Sequence, residues 1–145
     1  MCVIIDANVA HMIVGSPPQP EAAPLLRHIL ERKLGVVSGG KNAEELQRAG
    51  LGNLLQELSR AGLLLVHSRE EVELEQANLA RIGCASDDEH VIALARLSGA
   101  RLLYSKDHAL HTDFKDQRLL TSPRGRVYSS DKHVALLRRV DLCHR

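Results

Sequence analysis

Four carboxylates in this 145-residue chain stand where metal-assisted chemistry needs them: Asp6, Glu45, Asp88 and Asp107. Asp6 closes the short apolar run Cys2-Val3-Ile4-Ile5, and Asp107 follows Arg101-Leu102-Leu103-Tyr104-Ser105 almost at once. Asp88 falls in the first turn of an apolar helical segment, and Glu45 falls early in another. Carboxylates that converge without matched cations repel one another and their pKa values rise. A bound divalent ion removes that cost, and oxygen-only ligands favour Mg2+ or Mn2+ over softer metals. Such an ion polarises a phosphate oxygen and acidifies bound water; two ions about 3.5–4 Å apart clamp attacking and leaving oxygens. Each acid has a plainer reading on its own. An Asp after a strand is commonly a turn or cap residue. Asp87, Asp88 and Glu89 together also suit the positive end of a helix dipole, and Glu44 and Glu45 suit solvated helix positions. Only the ordered set carries the metal reading: acid after a strand, acid at a buried helix start, acid after another strand.

The elements that would deliver these acids are legible from periodicity. Cys2–Ile5 is an unbroken β-branched run, the pattern of a strand covered on both faces. Ser16-Pro17-Pro18-Gln19-Pro20 is a loop, since successive prolines exclude helix. Glu21 to Lys33 carries a helical apolar stripe at Ala22, Leu25, Leu26, Ile29 and Leu30. Gly35-Val36-Val37 reads as a second strand, closed by Ser38-Gly39-Gly40. Lys41 to Ala61 reads as two helical pieces with Gly50 and Gly52 between them, and Leu63–Val66 as a third strand. Ser68 to Arg81 predicts an exposed acidic helix. Ser86 with Glu89 predicts a capping box for a helix that is apolar nearly all round, hence buried. Arg101–Ser105 is the fourth strand, Val127-Tyr128 a last short one, and Lys132 to Arg139 a terminal helix. Strands alternating with helices predict one α/β domain over residues 1–145. Its architecture is a three-layer α/β/α sandwich with a mainly parallel central sheet. Ligand sites in such sheets form beyond the carboxyl ends of the strands, the edge to which Asp6 and Asp107 are delivered.

The ordered set resembles the PIN-domain family of metal-dependent ribonucleases. Val3-Ile4-Ile5-Asp6-Ala7-Asn8-Val9 looks like the family's opening strand, and Gly39-Gly40-Lys41 followed by Glu45-Leu46 like its second-acid region. Asp88 through Ala95 is similar to the third-acid helix, with alanines at Ala93 and Ala95. Gly99 through Ser105, then Lys106 and Asp107, resembles the strand ending in Thr/Ser-x-Asp. The likeness runs from Cys2 to about Phe114. It implies a metal-dependent endoribonuclease with Asp6, Glu45, Asp88 and Asp107 as ligands of Mg2+ or Mn2+. It further implies that Ser105 bonds a neighbouring carboxylate or metal-bound water, and that Asn8 orients Asp6 or a water from behind. Leu46 selects Glu45 over Glu44, and the alanine register selects Asp88 over Asp87. Some relatives carry a further acid after the last motif; Asp113 is the nearest here and is expected at the surface. His108 and His111, a turn apart, are expected at the surface too, with nitrogen ligation as the other reading. Lys106 is expected to point away from the site by strand alternation, within reach of a phosphate. Many compact members of the family are toxins silenced by a small antitoxin partner, and members often pair as homodimers. The stripe Leu51, Leu54, Leu55 and Leu58 fits either such an interface or an intramolecular helix face.

Composition narrows the alternatives. Aromatics are only 2%, namely Tyr104, Phe114 and Tyr128, so RNA would be held through phosphates rather than by stacking. The net charge of +1 conceals a basic stretch: Arg118, Arg124, Arg126, Lys132, Arg138, Arg139 and Arg145 face only Asp131 and Asp141. That asymmetry suits a polyanionic partner or a solvated surface. Cys2, Cys84 and Cys143 are odd in number and lack CxxC spacing, the usage of reduced thiols in a cytoplasmic protein. No run approaches the ~18 apolar residues of a membrane span. A nucleophile elbow, a Walker loop and a dinucleotide fingerprint are all missing. Two other functions fit the same residues less well. One is a non-catalytic RNA- or protein-binding module of the same fold. The other is a phospho-receiver domain using Ser105-Lys106, for which the paired acids and middle-strand acceptor are lacking.

Overall fold

The N-terminal apolar run forms β1 (Cys2–Ile5), the central strand of a five-stranded sheet. The computed structural model describes residues 2–138. With β2 (Gly35–Gly39), β3 (Leu64–His67), β4 (Leu102–Tyr104) and β5 (Arg126–Tyr128), the order is β3-β2-β1-β4-β5, and every pair is parallel. Strict alternation divides the core. Val3, Ile5, Val36, Leu102, Tyr104 and Tyr128 face one way, against α1 (Ala10–Val14), α2 (Ala23–Leu30) and the leucines of α4 (Gly52–Arg60). Val37, Ile4, Leu103 and Val127 form a row across the other face. That face is covered by α5 (Arg69–Leu79), α6 (Glu89–Ser98) and α7 (His108–Lys115). This is the three-layer α/β/α sandwich, with a sheet that is parallel throughout. Burying each such Val, Leu or Ile contributes about 1.5–3 kcal/mol, so apolar packing on both faces holds the layers together.

Several boundaries depart from the periodicity. Helix α2 begins at Ala23, with Pro24 in its first turn where the missing N–H costs nothing, so Glu21 lies in the turn before it. Lys41 to Ala61 is α3 (Gly40–Leu46), a π-helical turn (Gln47–Leu51) and α4. The break falls at Gly50, whose φ of 96° only glycine adopts freely. Leu51 and Leu58 are buried, with Leu54 and Leu55 packed against the same core, so the leucine stripe serves the intramolecular face. The capping box belongs to α5. Ser68 accepts the Glu71 N–H at 3.2 Å, while the Glu71 carboxylate takes the Ser68 N–H at 3.1 Å. The last element, Asp131–Arg138, is a 3-10 helix rather than an α-helix; Arg139 lies outside the described residues. Cys84 is a free thiol, as expected, whereas Cys2 is disulfide-bonded, which corrects the expectation for that residue; Cys143 lies outside the described residues. A disulfide suits an oxidising compartment, so the cysteine count no longer supports a cytoplasmic location. No helix among the described residues is long and apolar enough to cross a membrane.

The turn from β2 into α3 is the tightest backbone approach near the candidate acids. Gly39 has φ 155°, and a Cβ there would collide with the His67 carbonyl of β3. Gly39→Ala is expected to cost at least about 2 kcal/mol, or about 6 °C in Tm, in a thermal melt. Gly52→Ala, in a helix with a 3.5 Å approach to Gln47 only, should hold or raise Tm. Equal melting of the two variants would contradict this account of the turn.

Candidate functional site

In this strand order the chain turns from one side of β1 to the other, so the switch point is the gap between β1 and β4. Asp6 stands there, only 6% exposed, and its own N–H extends the ladder to the Tyr104 carbonyl at 2.9 Å. Ser105, fully buried, donates from Oγ to Asp6 Oδ2 at 2.6 Å and accepts the Asp107 N–H at 3.0 Å. Its carbonyl accepts a bond from His111 Nε2 at 2.6 Å, which commits that nitrogen as a donor. Asp107 caps α7, where its Oδ1 accepts the N–H groups of Ala109 and Leu110 at 3.0 and 3.2 Å. Asn8 meets Asp6 through its main chain, not its side chain. Its backbone N–H serves the Asp6 carboxylate, while its exposed side chain takes the Lys106 N–H at 3.5 Å.

Glu45 reaches the same edge on α3. That helix is set against β1 by Asn42, a buried residue that the periodicity did not single out. Asn42 donates to the Ile5 carbonyl at 2.9 Å and accepts the Ser38 hydroxyl at 2.7 Å. Its partner bonds therefore hold the helix of Glu45 to the residue preceding Asp6. Glu45 lies 3.6 Å from Lys41 Nζ and 4.0 Å from Nε2 of the buried His90. Glu44 turns away, to Arg69 and to Arg48 at 3.6 Å.

Asp88 is the residue at the head of α6, and the Ser86 capping box does not form: the helix has no side-chain cap. Ser86 is instead gripped by Asp113, whose carboxylate accepts Ser86 Oγ at 2.7 Å and the N–H groups of Ala85 and Ser86 at 2.7 and 2.9 Å. Ser86 Oγ in turn accepts the Asp88 N–H at 3.3 Å. Asp113 is thus buried, 3% exposed, and not a surface residue. A carboxylate taking three donors from one loop fixes that loop, and through it the start of α6. The Asp113-Phe114 pair in the sequence is consistent with a buried turn of α7, but nothing local distinguishes the carboxylate's distant partner.

The four acids sense one another. Burial pushes the Asp6 carboxyl above its usual range, against the Ser105 and Asn8 bonds that lower it, and the charges of Asp107 and Glu45 push it further. Asp88 is raised to about 6, first by burial and then by Asp6, Asp107 and Glu45. The structure brings Asp6, Glu45, Asp88 and Asp107 to one sheet edge and within electrostatic reach. It does not close them into a cage: among the described residues, no three His, Cys, Asp or Glu side chains are close enough to hold an ion. Their chemistry, carboxylate oxygen throughout with Asp6 and Asp88 raised by burial, fits a hard divalent ion such as Mg2+ or Mn2+. Asp107 has one oxygen engaged in its helix cap and Glu45 leans toward Lys41, so a closed cage requires both side chains to rearrange.

Part of the basic stretch lies away from the acids. Arg101 and Arg126 sit at the amino ends of β4 and β5, the edge opposite the acids. Arg101 and Arg124 bond backbone carbonyls there, including those of Pro123 and Lys115 at 2.9 and 3.2 Å. Arg118 pairs with Asp116 at 2.8 Å. At the carboxylate edge Lys106 donates to Glu21 Oε1 at 2.6 Å, pointing away from Asp6 as alternation required. Glu21 Oε2 also accepts the Tyr104 hydroxyl at 2.9 Å, so Tyr104 and Lys106 share one partner two residues apart.

Two measurements follow from this geometry. Because the Asp88 carboxyl is raised in the fold, the native state keeps a proton that the unfolded chain releases. Stability in EDTA should therefore fall as pH rises from about 4 to about 6 and level off above. Asp88→Asn should exceed the parent at pH 7 by about 1 kcal/mol after discounting for solvent screening, about 3 °C, and match it at pH 4. A variant advantage that persists unchanged at pH 4 would remove the electrostatic cause. Asp113→Ala leaves three donors unmatched and should cost about 2–4 kcal/mol. It should also weaken Mn2+ binding about 10-fold by isothermal titration if Asp88 is a ligand.

The chain matches no model of a known protein family, no curated protein and no solved structure.

Proposed function

We propose that this chain is a divalent-metal-dependent endoribonuclease of the PIN-domain kind. One observation carries the reading: a buried aspartate at the switch point, Asp6, electrostatically coupled to Glu45, Asp88 and Asp107 from three other elements. Mg2+ or Mn2+ would be held by these four, and when bound the ion supplies polarisation of a phosphodiester oxygen and a more acidic water. The chain's own residues prepare the place. Ser105 keeps one Asp6 oxygen occupied and oriented, His111 fixes the Ser105 backbone, Asn42 holds the helix of Glu45, and Asp113 holds the loop of Asp88. His90 is buried and its pKa is lowered by that burial, so a neutral imidazole faces Glu45 at pH 7. RNA is the substrate, through phosphate contacts. The biological setting supported by the resemblance is a toxin, restrained by a small antitoxin protein and assembled as a homodimer.

A second reading has one observation in its favour. The acids are not gathered into an ion-holding group, which suits a binding module that keeps the fold without cutting. The receiver alternative loses its topological basis, since receivers order their strands 2-1-3-4-5 and this sheet runs 3-2-1-4-5.

The deciding experiment incubates purified protein with a structured RNA in Mg2+ and then Mn2+. Cutting is expected, abolished by EDTA and reduced at least about 100-fold by Asp6→Asn, a loss of about 2.7 kcal/mol of transition-state stabilisation or more. Undiminished cutting by Asp6→Asn rejects the site. A folded, Mn2+-binding protein that cuts nothing supports the binding module.

A further inference from the structure

A site built from four carboxylates repels the polyanion it is meant to cut, so cations must draw the flanking phosphates to that edge. Among the described residues, four arginines of the C-terminal half do not do so. Arg101, Arg124 and Arg126 belong to the opposite edge of the sheet or its loops, and Arg118 is paired with Asp116. Two lysines are better placed. Lys41 stands in the first turn of α3, after β2, with its side chain 56% exposed and Nζ 3.6 Å from Glu45. Lys106 lies between Ser105 and Asp107, after β4, with its side chain 45% exposed and Nζ 2.6 Å from Glu21. Strands β2 and β4 are the two neighbours of β1, so the lysines flank the strand that ends in Asp6.

We propose that Lys41 and Lys106 are the phosphate anchors of a single-stranded RNA crossing the carboxyl edge of the sheet, and that a phosphate displaces Glu21 from Lys106. The inference rests on the ribonuclease reading above. Glu21 is suited to be left behind. Its second oxygen keeps the Tyr104 hydroxyl at 2.9 Å, and its backbone carbonyl keeps the Tyr128 hydroxyl at 2.5 Å. The carboxylate therefore stays fixed when the ammonium departs. The pair is open to water on the lysine side, at 45% exposure, and an ammonium is a point charge on a flexible stem, so it can exchange one anion for another. Alternation places Lys106 on the face away from Asp6, which suits the phosphate next to the reacting one rather than the reacting one itself.

The test measures binding of a fluorescent single-stranded RNA 12-mer by anisotropy in EDTA, over a series of salt concentrations. Lys41→Gln and Lys106→Gln are each expected to weaken binding about 5-fold and to lower the slope of log K against log salt by about 0.7. Lys106→Arg should restore both. Glu21→Gln, which keeps an acceptor for Tyr104 but removes the competing charge, should tighten binding several-fold. That opposite sign would not arise from a merely structural ion pair, whose loss from either side disturbs the same contacts. Arg124→Gln should leave affinity and slope unchanged. Wild-type-like binding by both lysine variants, or loss in Arg124→Gln instead, overturns the anchors while RNA cutting by the parent still stands. A parent protein that binds Mn2+ but neither binds nor cuts RNA overturns the ribonuclease reading, and the anchors with it.

Discussion

Parallel pairing of β1 with β4 is the contact on which the rest of the site depends. Ile5 lies opposite Tyr104, and the Asp6 N–H continues the ladder one step past the strand to the Tyr104 carbonyl. The next residue on the β4 side is then Ser105, whose hydroxyl meets the Asp6 carboxylate at 2.6 Å. A slip of β4 by one residue against β1 would exchange the faces of β4 and part this pair, and the core would oppose it, because Leu103 would leave one apolar layer as Tyr104 left the other. Hydrophobic register on the two faces thus sets the position of a buried acid.

Around that pair the molecule uses short polar ties rather than further apolar packing. Asn42 links α3 to the end of β1, Asp113 links α7 to the loop before α6, and the Ser105 carbonyl is held by His111. Each is a buried or half-buried group whose bonds are satisfied, and unmade bonds there would cost more than the net gain from making them. Each also ties together elements far apart in the chain. The helices carrying Glu45, Asp88 and Asp107 are therefore oriented separately but toward one edge. Their charges remain in mutual reach, which is why burial and repulsion together lift Asp6 and Asp88.

The distribution of cations completes this picture. Arginines gather where β4 and β5 begin, bonding carbonyls and loops; lysines, with weaker and more exchangeable pairs, stand where β2 and β4 end. The total charge of +1 therefore conceals a carboxyl edge where Lys41 and Lys106 are each paired with a glutamate.

Much of this was written in local sequence. The β-branched run before Asp6, the alternation in Leu102–Tyr104, the near-uniform apolarity of α6 and the glycines at 50 and 52 specify elements by short-range steric and burial rules. Those rules also put Asp6, Asp88 and Asp107 at element ends and Glu45 on the helix after the second strand, and they separated Ser105 from Lys106. They did not reveal that Asp113 is buried, that Ser86 serves it instead of capping α6, that Asn42 binds Ile5, or that Glu21 holds Lys106 and Tyr104. Nor did they place the arginines away from the acids. Each of these depends on a partner tens of residues distant, and a side chain's hydrogen bond is decided by which groups folding leaves without water. Periodicity governs which face of an element is apolar; only the packed layers determine which polar atoms on the remaining face must find one another.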